Sequence, residues 1–162
     1  MDPADPANPL APRAPTHNAV DFDALWTLGA ALMADGPVVT AEEVDEVAED
    51  HGVPRAHAWM ALSYAPNVQV ERTADIAVAV CCARCQLWGA GDLVADLLAL
   101  RDARTAAGRL SFDLVPRGCL NRCSDAPVAT GVLDDGVVGF VNATAAQVTE
   151  LLDAVEAEAA DA

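Results

Sequence analysis

The chain has 162 residues, about the length of one ordinary domain, and its formal net charge is −16. A surface this acidic repels phosphate backbones and anionic membranes, so we expect no nucleic-acid partner and no direct insertion into a membrane. More than half of the residues are apolar, which is enough for a core.

The apolar runs are too short to span a bilayer, and the first residues show neither the basic nor the apolar region of a secretory signal. We therefore expect a cytoplasmic protein with reduced thiols. Residues 1–18 are rich in Pro, Ala and Asp, a composition that predicts a disordered tail.

Residues 19–66 contain helical patterns and predict an N-terminal helical bundle. Three helices are expected there: Phe22–Met33, Ala41–Glu49 behind a capping box of Thr40 and Glu43, and a third that begins near Pro54. We expect Trp26 and Trp59 to lie in the core.

Residues 67–158 predict an α/β domain. The expected elements are an extended stretch at Val68–Glu71, a buried strand at Ile76–Val80, a helix at Asp92–Arg104, a half-buried strand at Ser111–Val115, a hairpin of Val128–Leu133 and Val137–Val141 around Asp135-Gly136, and a last helix capped by Thr144 and Gln147. The order strand, helix, strand, hairpin, helix is typical of a thioredoxin-like fold with a mixed four-stranded sheet.

The five cysteines form two groups. Cys81, Cys82 and Cys85 follow the first predicted strand, and Cys119 and Cys123 precede the hairpin. In this topology both loops reach one end of the sheet, where four thiolates could enclose an iron–sulfur cluster or a structural zinc. A dithiol at Cys82 and Cys85, placed between a strand and a helix, is a third interpretation. Arg84 and Arg122 lie inside the loops and either favour the thiolates or are simply solvated.

The segment Cys119-Leu-Asn-Arg-Cys123-Ser-Asp-Ala-Pro127-Val128, followed by Asp135-Gly136, resembles the C-terminal motif of the thioredoxin-like [2Fe-2S] ferredoxins. These include the E subunit of NADH:quinone oxidoreductase, the gamma subunit of NAD-dependent formate dehydrogenase, and the equivalent subunit of bidirectional hydrogenases. The segments Cys85-Gln-Leu-Trp-Gly89 and Ala41 to Pro54 resemble further parts of the same subunits, so the resemblance covers about Leu25 to Val155.

The resemblance implies that two cysteines from each loop hold one [2Fe-2S] cluster. The ligands carried over are Cys85, Cys119 and Cys123. The family has four residues between the first two ligands, which would place the first at Val80; this chain has Cys81 or Cys82 instead. We favour Cys81, whose spacing is nearer that of the family, and keep Cys82 as the alternative.

One further departure lies in the second loop. Asn121 stands where relatives tend to have Gly, and Asn tolerates a left-handed backbone. Pro127 is either the cis-proline that thioredoxin folds often place beside their redox centre or an ordinary trans proline that opens a strand.

The function implied by the resemblance is electron transfer, with this chain as a non-catalytic subunit. It would dock on a larger FMN- and NAD(H)-binding subunit, chiefly through its helical lead-in, and would reach the inner face of a membrane only through partner subunits. The alternatives are a thiol-disulfide oxidoreductase that uses Cys82 and Cys85, and a scaffold protein that binds zinc.

Overall fold

The computed structural model describes residues 14–161. The helices in these residues are α1 (Phe22–Asp35), α2 (Ala41–Asp50), α3 (Arg55–Ala61), α4 (Ala90–Ala106) and α5 (Ala145–Asp161). The strands are β1 (Val38–Val39), β2 (Gln69–Val70), β3 (Ala77–Cys81), β4 (Asp113–Arg117), β5 (Val128–Leu133) and β6 (Gly136–Val141). None of the described helices is both long enough and apolar enough to cross a membrane.

The last four strands form one sheet in the order β4-β3-β5-β6. β3 and β4 run parallel and are connected by α4, whereas β5 runs antiparallel to both β3 and β6. The expected α/β class with a mixed four-stranded sheet is therefore confirmed.

Strand ends differ from the prediction where tertiary pairing decides them. β3 continues through Cys81, because Cys81 pairs with Arg117 of β4. The hairpin loop consists of Asp134 and Asp135, one residue earlier than the expected Asp135-Gly136 turn. The extension of β3 matters for function, since it places a cysteine inside the strand.

Asp113 is a buried polar residue, although the alternation of Ser111 and Asp113 with the apolar Phe112 and Leu114 predicts that it lies on the polar face of the strand. Its carboxylate accepts hydrogen bonds from Arg72 Nε at 2.8 Å and from the backbone amides of Thr73 and Ala74, each at 3.0 Å. These donors compensate the cost of burying the Asp113 carboxylate, and they fix residues 72–74, which precede β3, against the start of β4.

The N-terminal helices pack against one another, and α3 also packs against α4. Asp45 of α2 connects this helix to α3: it accepts from Nε and Nη2 of Arg55 at 2.9 and 2.7 Å and from Nε1 of Trp59 at 2.8 Å. Arg55 Nη1 in turn donates to Asp102 of α4 at 2.7 Å. The two predicted units, residues 19–66 and 67–158, thus share contacts and one main apolar core.

The main core is the larger of two apolar clusters, and it includes residues from helices α1 to α5 and from strands β1, β3, β4, β5 and β6. Trp59 lies in it and is 1% exposed, as expected. Trp26 does not: it is 54% exposed and stacks on Phe22 with ring centroids 6.2 Å apart, so its predicted place in the core is wrong. Leu25, its neighbour in sequence, takes the buried position on α1.

The helix caps agree with the sequence analysis. Thr40 and Glu43 form the reciprocal capping box of α2. Thr144 and Gln147 make the corresponding pair of hydrogen bonds before α5. One contact was not predicted: β1 pairs in parallel with β2, over only two residues on each side.

Candidate metal centre

Cys81 and Cys82 occupy opposite sides of the chain at the end of β3. Because successive side chains of a strand alternate between faces, only one of two adjacent cysteines can face the second cysteine loop. Cys82 is fully buried in the main core. Cys81 lies in the second apolar cluster, together with Cys85 and Trp88. Of the two adjacent cysteines, Cys81 is therefore the one that lies on the same side as the other predicted site residues.

Cys81 and Cys85 are in direct contact. The Cys85 thiol donates a hydrogen bond to the Cys81 sulfur, and this bond lowers the pKa of Cys81 to about 6 against the opposing effect of burial. Backbone N–H groups of Leu120 and Ala83 also donate toward the Cys81 sulfur. The same side-chain bond raises the pKa of Cys85.

Cys82 behaves as an apolar core residue. Burial raises the pKa of its thiol to about 12, and its Sγ lies 3.5 Å from the carbonyl oxygen of Val80. A thiol that stays protonated in a closed core is a poor nucleophile and a poor ligand. Its backbone is useful to the site in another way, because the Cys82 N–H donates to the Arg117 carbonyl at 2.8 Å.

The second loop brings Cys123 toward the first pair. Cys123 begins a single 3₁₀ turn, Cys123–Asp125, and is half-buried. It lies close enough to Cys85 that a charge on its sulfur contributes to the raised pKa of Cys85. Ala126 belongs to the apolar cluster of Cys81 and Cys85, and Leu120 packs against it, so the loop that carries Cys123 lies against this pair at one end of the sheet.

Cys119 is the exposed cysteine of the five, all of which fall within residues 14–161. Its Sγ accepts a hydrogen bond from the Asn121 backbone amide at 3.3 Å. Asn121 has a φ of 57°, so the left-handed conformation expected of it is present. Cys119 sits at the rim of the site, with its thiol directed to its own loop.

Whether these residues fit a metal depends on the type of ligand atoms and on how close together those atoms lie. The four candidates are soft sulfur donors, which suit an iron–sulfur cluster or zinc, and the amides of Leu120, Ala83 and Asn121 already point at two of the sulfurs. Across residues 14–161, however, no group of three or more His, Cys, Asp or Glu side chains is close enough to hold a metal as it stands.

The first cysteine loop is held by a buried amide that the sequence analysis did not single out. Gln86 Nε2 donates to the Cys82 carbonyl at 2.9 Å and to the Tyr64 hydroxyl at 3.2 Å, and Gln86 Oε1 accepts from the Val20 amide at 2.9 Å. A Gln just after a cysteine gives no local signal of this role, since its partners are distant in sequence. The amide fixes the loop that presents Cys85.

Residues before α1 cross this loop. Backbone amides of Thr16 and His17 donate to the Leu87 carbonyl at 2.9 and 3.1 Å, and Trp88 Nε1 donates to the Ala14 carbonyl at 3.1 Å. These residues belong to the segment predicted as a disordered tail; residues 1–13 of that segment lie outside the described residues. Trp88 is 6% exposed and packs beside the cysteines, in keeping with either shielding or simple packing.

Two features of the second loop can be compared with expectation. The Ala126–Pro127 peptide bond is cis, the first of the two conformations considered for Pro127. Arg122, for which the sequence left open either a role beside the thiolates or a simply solvated position, pairs with Asp125 through its Nε and Nη2 at 2.9 and 2.8 Å. Its charge is therefore largely compensated within the loop.

No family model matches this chain, and none of the curated proteins with which it was compared matches it.

Proposed function

We propose that this chain is an electron-transfer protein of the thioredoxin-like [2Fe-2S] ferredoxin family, with Cys81, Cys85, Cys119 and Cys123 as cluster ligands. The proposal rests chiefly on the packing of the second cysteine loop, through Leu120 and Ala126, against the cluster that holds Cys81 and Cys85, while Cys82 is turned into the main core. The observed order of strand, helix, strand, hairpin and helix supports a thioredoxin-like fold for residues 77–161. The packed helices α1 to α3 support the N-terminal helical bundle.

When bound, a [2Fe-2S] cluster supplies one-electron transfer. The residues of this chain bind it and control its surroundings. Backbone amides of Ala83, Leu120 and Asn121 donate to the Cys81 and Cys119 sulfurs, which stabilises negative charge there. Because no three potential ligands within residues 14–161 are close enough to hold a metal as they stand, closing the site requires the second loop to bring Cys119 and Cys123 nearer to Cys81 and Cys85.

Apolar side chains exclude water from the inner half of the site. Trp88 and Val128 are buried beside Cys81 and Cys85, and Leu87 and Leu120 pack against them. Low solvent access strengthens the hydrogen bonds between the amide donors and the sulfurs. Solvent access and these hydrogen bonds both tune the reduction potential of a bound cluster. Cys119 and Cys123 lie on the more exposed side, where an electron can leave or enter.

The resemblance further implies that the chain is a subunit of an NADH dehydrogenase or an NAD-dependent formate dehydrogenase, and we propose that it acts in the cytoplasm. In that arrangement a larger FMN- and NAD(H)-binding subunit performs the hydride chemistry. The chain itself would be a non-catalytic subunit, and the equivalent subunit of a bidirectional hydrogenase would have the same role.

A thiol-disulfide oxidoreductase at Cys82 and Cys85 has less support. Cys82 and Cys85 lie in different apolar clusters, and each is at most 1% exposed. A catalytic dithiol needs an accessible thiolate that can attack a disulfide of another protein. The zinc-binding scaffold uses the same four thiols and differs only in the metal that they hold.

The test is anaerobic reconstitution of the purified full chain with iron and sulfide, followed by an absorption spectrum and metal analysis. We expect a red-brown protein with two irons and two sulfides per chain. A colourless protein with one bound zinc would favour the scaffold. A colourless protein that binds no metal would refute the proposal.

A further inference from the structure

Arginine pairing is uneven in this strongly acidic chain. Residues 14–161 contain eight of the nine arginines, and six of the eight make ion pairs with carboxylates: Arg55, Arg72, Arg101, Arg104, Arg109 and Arg122. Arg84 and Arg117, here called the arginine pair, are exposed and have no ion pair within that part of the chain. In a chain of net charge −16, carboxylates are abundant, so two unpaired arginines are unexpected.

Both members of the arginine pair flank the cysteines. Arg84 lies between Cys82 and Cys85 in the first loop. Arg117 is the last residue of β4 and is in register with Cys81, so the two side chains leave the same face of the sheet. Arg117 was missed as a candidate because its strand was predicted to end at Val115.

The local charge around the cysteines is opposite in sign to that of the whole chain. Residues 81–89 and 117–127 together contain three arginines and one aspartate, a formal charge of +2, against −16 for the chain. Because Arg122 and Asp125 pair with each other, the arginine pair accounts for this excess. A positive region on an otherwise negative surface attracts anionic groups to that region and orients an approaching partner toward it.

We propose that the arginine pair forms the docking surface for an acidic face of a protein redox partner, which brings that partner's carboxylates over the cysteine end of the sheet. Exposed guanidinium groups bind carboxylates bidentately. A nucleic acid is disfavoured because its extended charge would meet the rest of an acidic surface. The inference deepens the proposed function, since it assumes that electrons pass through the cysteine loops.

Exposed charge pairs add little affinity but strongly affect encounter rates. Each such pair contributes weakly to binding, whereas steering raises association rates by about 10- to 10³-fold and falls with ionic strength. The measurable consequence is that anionic molecules should react faster than uncharged ones at the cysteine end of the sheet, and that this preference should depend on Arg84 and Arg117.

The first experiment measures this selectivity on metal-free, reduced full chain, so that its outcome does not depend on cluster assembly. The fast modification of Cys119, identified by its loss in Cys119→Ser, is followed with a dianionic aromatic disulfide, 5,5′-dithiobis(2-nitrobenzoate), and with uncharged 4,4′-dithiodipyridine. The uncharged reagent corrects for any change in thiol pKa or exposure. The rate ratio of the two reagents then reports the local potential.

We expect the ratio to fall about threefold at 0.1 M salt, and further at 0.01 M, in the double variant Arg84→Gln/Arg117→Gln; this follows from two charges about 10 Å from a dianion with screening. The matched control is Arg109→Gln, which removes one arginine charge at the opposite end of β4, beside α5. An unchanged ratio in the double variant, or an equal change in the control, would overturn the inference.

The second experiment identifies the class of partner. Hexaglutamate at low ionic strength should slow the modification of Cys119 by 4,4′-dithiodipyridine in the wild-type chain and in Arg109→Gln, and should have no effect on the double variant. An oligothymidylate of equal charge serves as the competing polyanion. Equal protection by the oligonucleotide would overturn the assignment to an acidic protein, and lack of protection by hexaglutamate would overturn the docking surface itself.

Discussion

The adjacent cysteines Cys81 and Cys82 should give opposite results when each is replaced by alanine. Cys82→Ala removes a fully buried sulfur from the main core, where neighbouring side chains close the space only in part. The expected cost is about 1–2 kcal/mol, from lost transfer free energy plus a small cavity. For a domain of this size, that lowers Tm by about 2–8 °C. Cluster binding should remain complete.

Cys81→Ala removes a proposed ligand, the sulfur that contacts Cys85 and accepts the Leu120 amide. We expect the variant to fold but to retain little iron after reconstitution. Alanine is a better probe than serine at both positions, because a buried hydroxyl without a partner adds about 1–3 kcal/mol of its own.

The assay combines thermal unfolding of the metal-free variants, followed by circular dichroism, with iron and sulfide analysis after anaerobic reconstitution. Cys82→Ala should show a lower Tm with two irons per chain, and Cys81→Ala should show iron near zero. The reasoning from strand alternation is refuted if Cys82→Ala loses the iron while Cys81→Ala keeps it.

Three further predictions concern the scaffold. Asp45→Ala leaves the indole N–H of the buried Trp59 without its acceptor, so urea unfolding should show a loss of about 2–4 kcal/mol; a loss below about 0.5 kcal/mol would contradict the packing of α2 on α3. The hydrogen bond from Arg104 lowers the pKa of Asp153 in the folded state. The stability that this bond adds is therefore complete above the ordinary pKa of an unfolded Asp, and it is lost as the pH falls through the lowered pKa of the folded state. Below about pH 4, the urea midpoint of the wild-type chain should therefore fall more steeply than that of Arg104→Met. Protonation of the other carboxylates reduces charge repulsion in both proteins, so the comparison between them removes that effect. Equal slopes would count against the pairing of Arg104 with Asp153. Gln86→Ala should speed the modification of the buried thiols by 4,4′-dithiodipyridine, because the loop that presents them loses its anchor, and an unchanged rate would show that the anchor is dispensable.

Local rules predicted the helices and their caps because the information lies within a few residues. The pairs Thr40/Glu43 and Thr144/Gln147 are examples, since each cap requires only a spacing of three residues. The strand–helix–strand pattern likewise followed from periodicity and turn residues. The parallel pair of β1 and β2 did not, because two-residue strands have no period to detect.

The errors fall where tertiary partners override a local pattern. Asp113 appeared to face solvent from its alternation, but donors some forty residues upstream make its burial acceptable. Trp26 appeared apolar enough for the core, but the face of α1 that packs inward contains Leu25 instead.

The candidate site divides in the same way. Spacing and family resemblance indicated both cysteine loops, whereas the choice between Cys81 and Cys82 depends on where β3 ends. That end is set by pairing with Arg117, a residue 36 positions later, which sequence periodicity does not reveal. The same pairing brings Arg117 beside Cys81, so that Arg117 and Arg84, rather than Arg122, are the arginines near the cysteines that make no ion pair in the described residues.

The most direct test of the account is a potentiometric titration of the reconstituted full chain, followed by its visible absorption under anaerobic conditions. A one-electron centre changes its ratio of oxidised to reduced protein tenfold for every 59 mV, whereas a dithiol–disulfide couple requires 29.6 mV. We expect a single one-electron transition, abolished in Cys81→Ala and retained in Cys82→Ala. A two-electron transition, or a protein with no visible redox change, would contradict it.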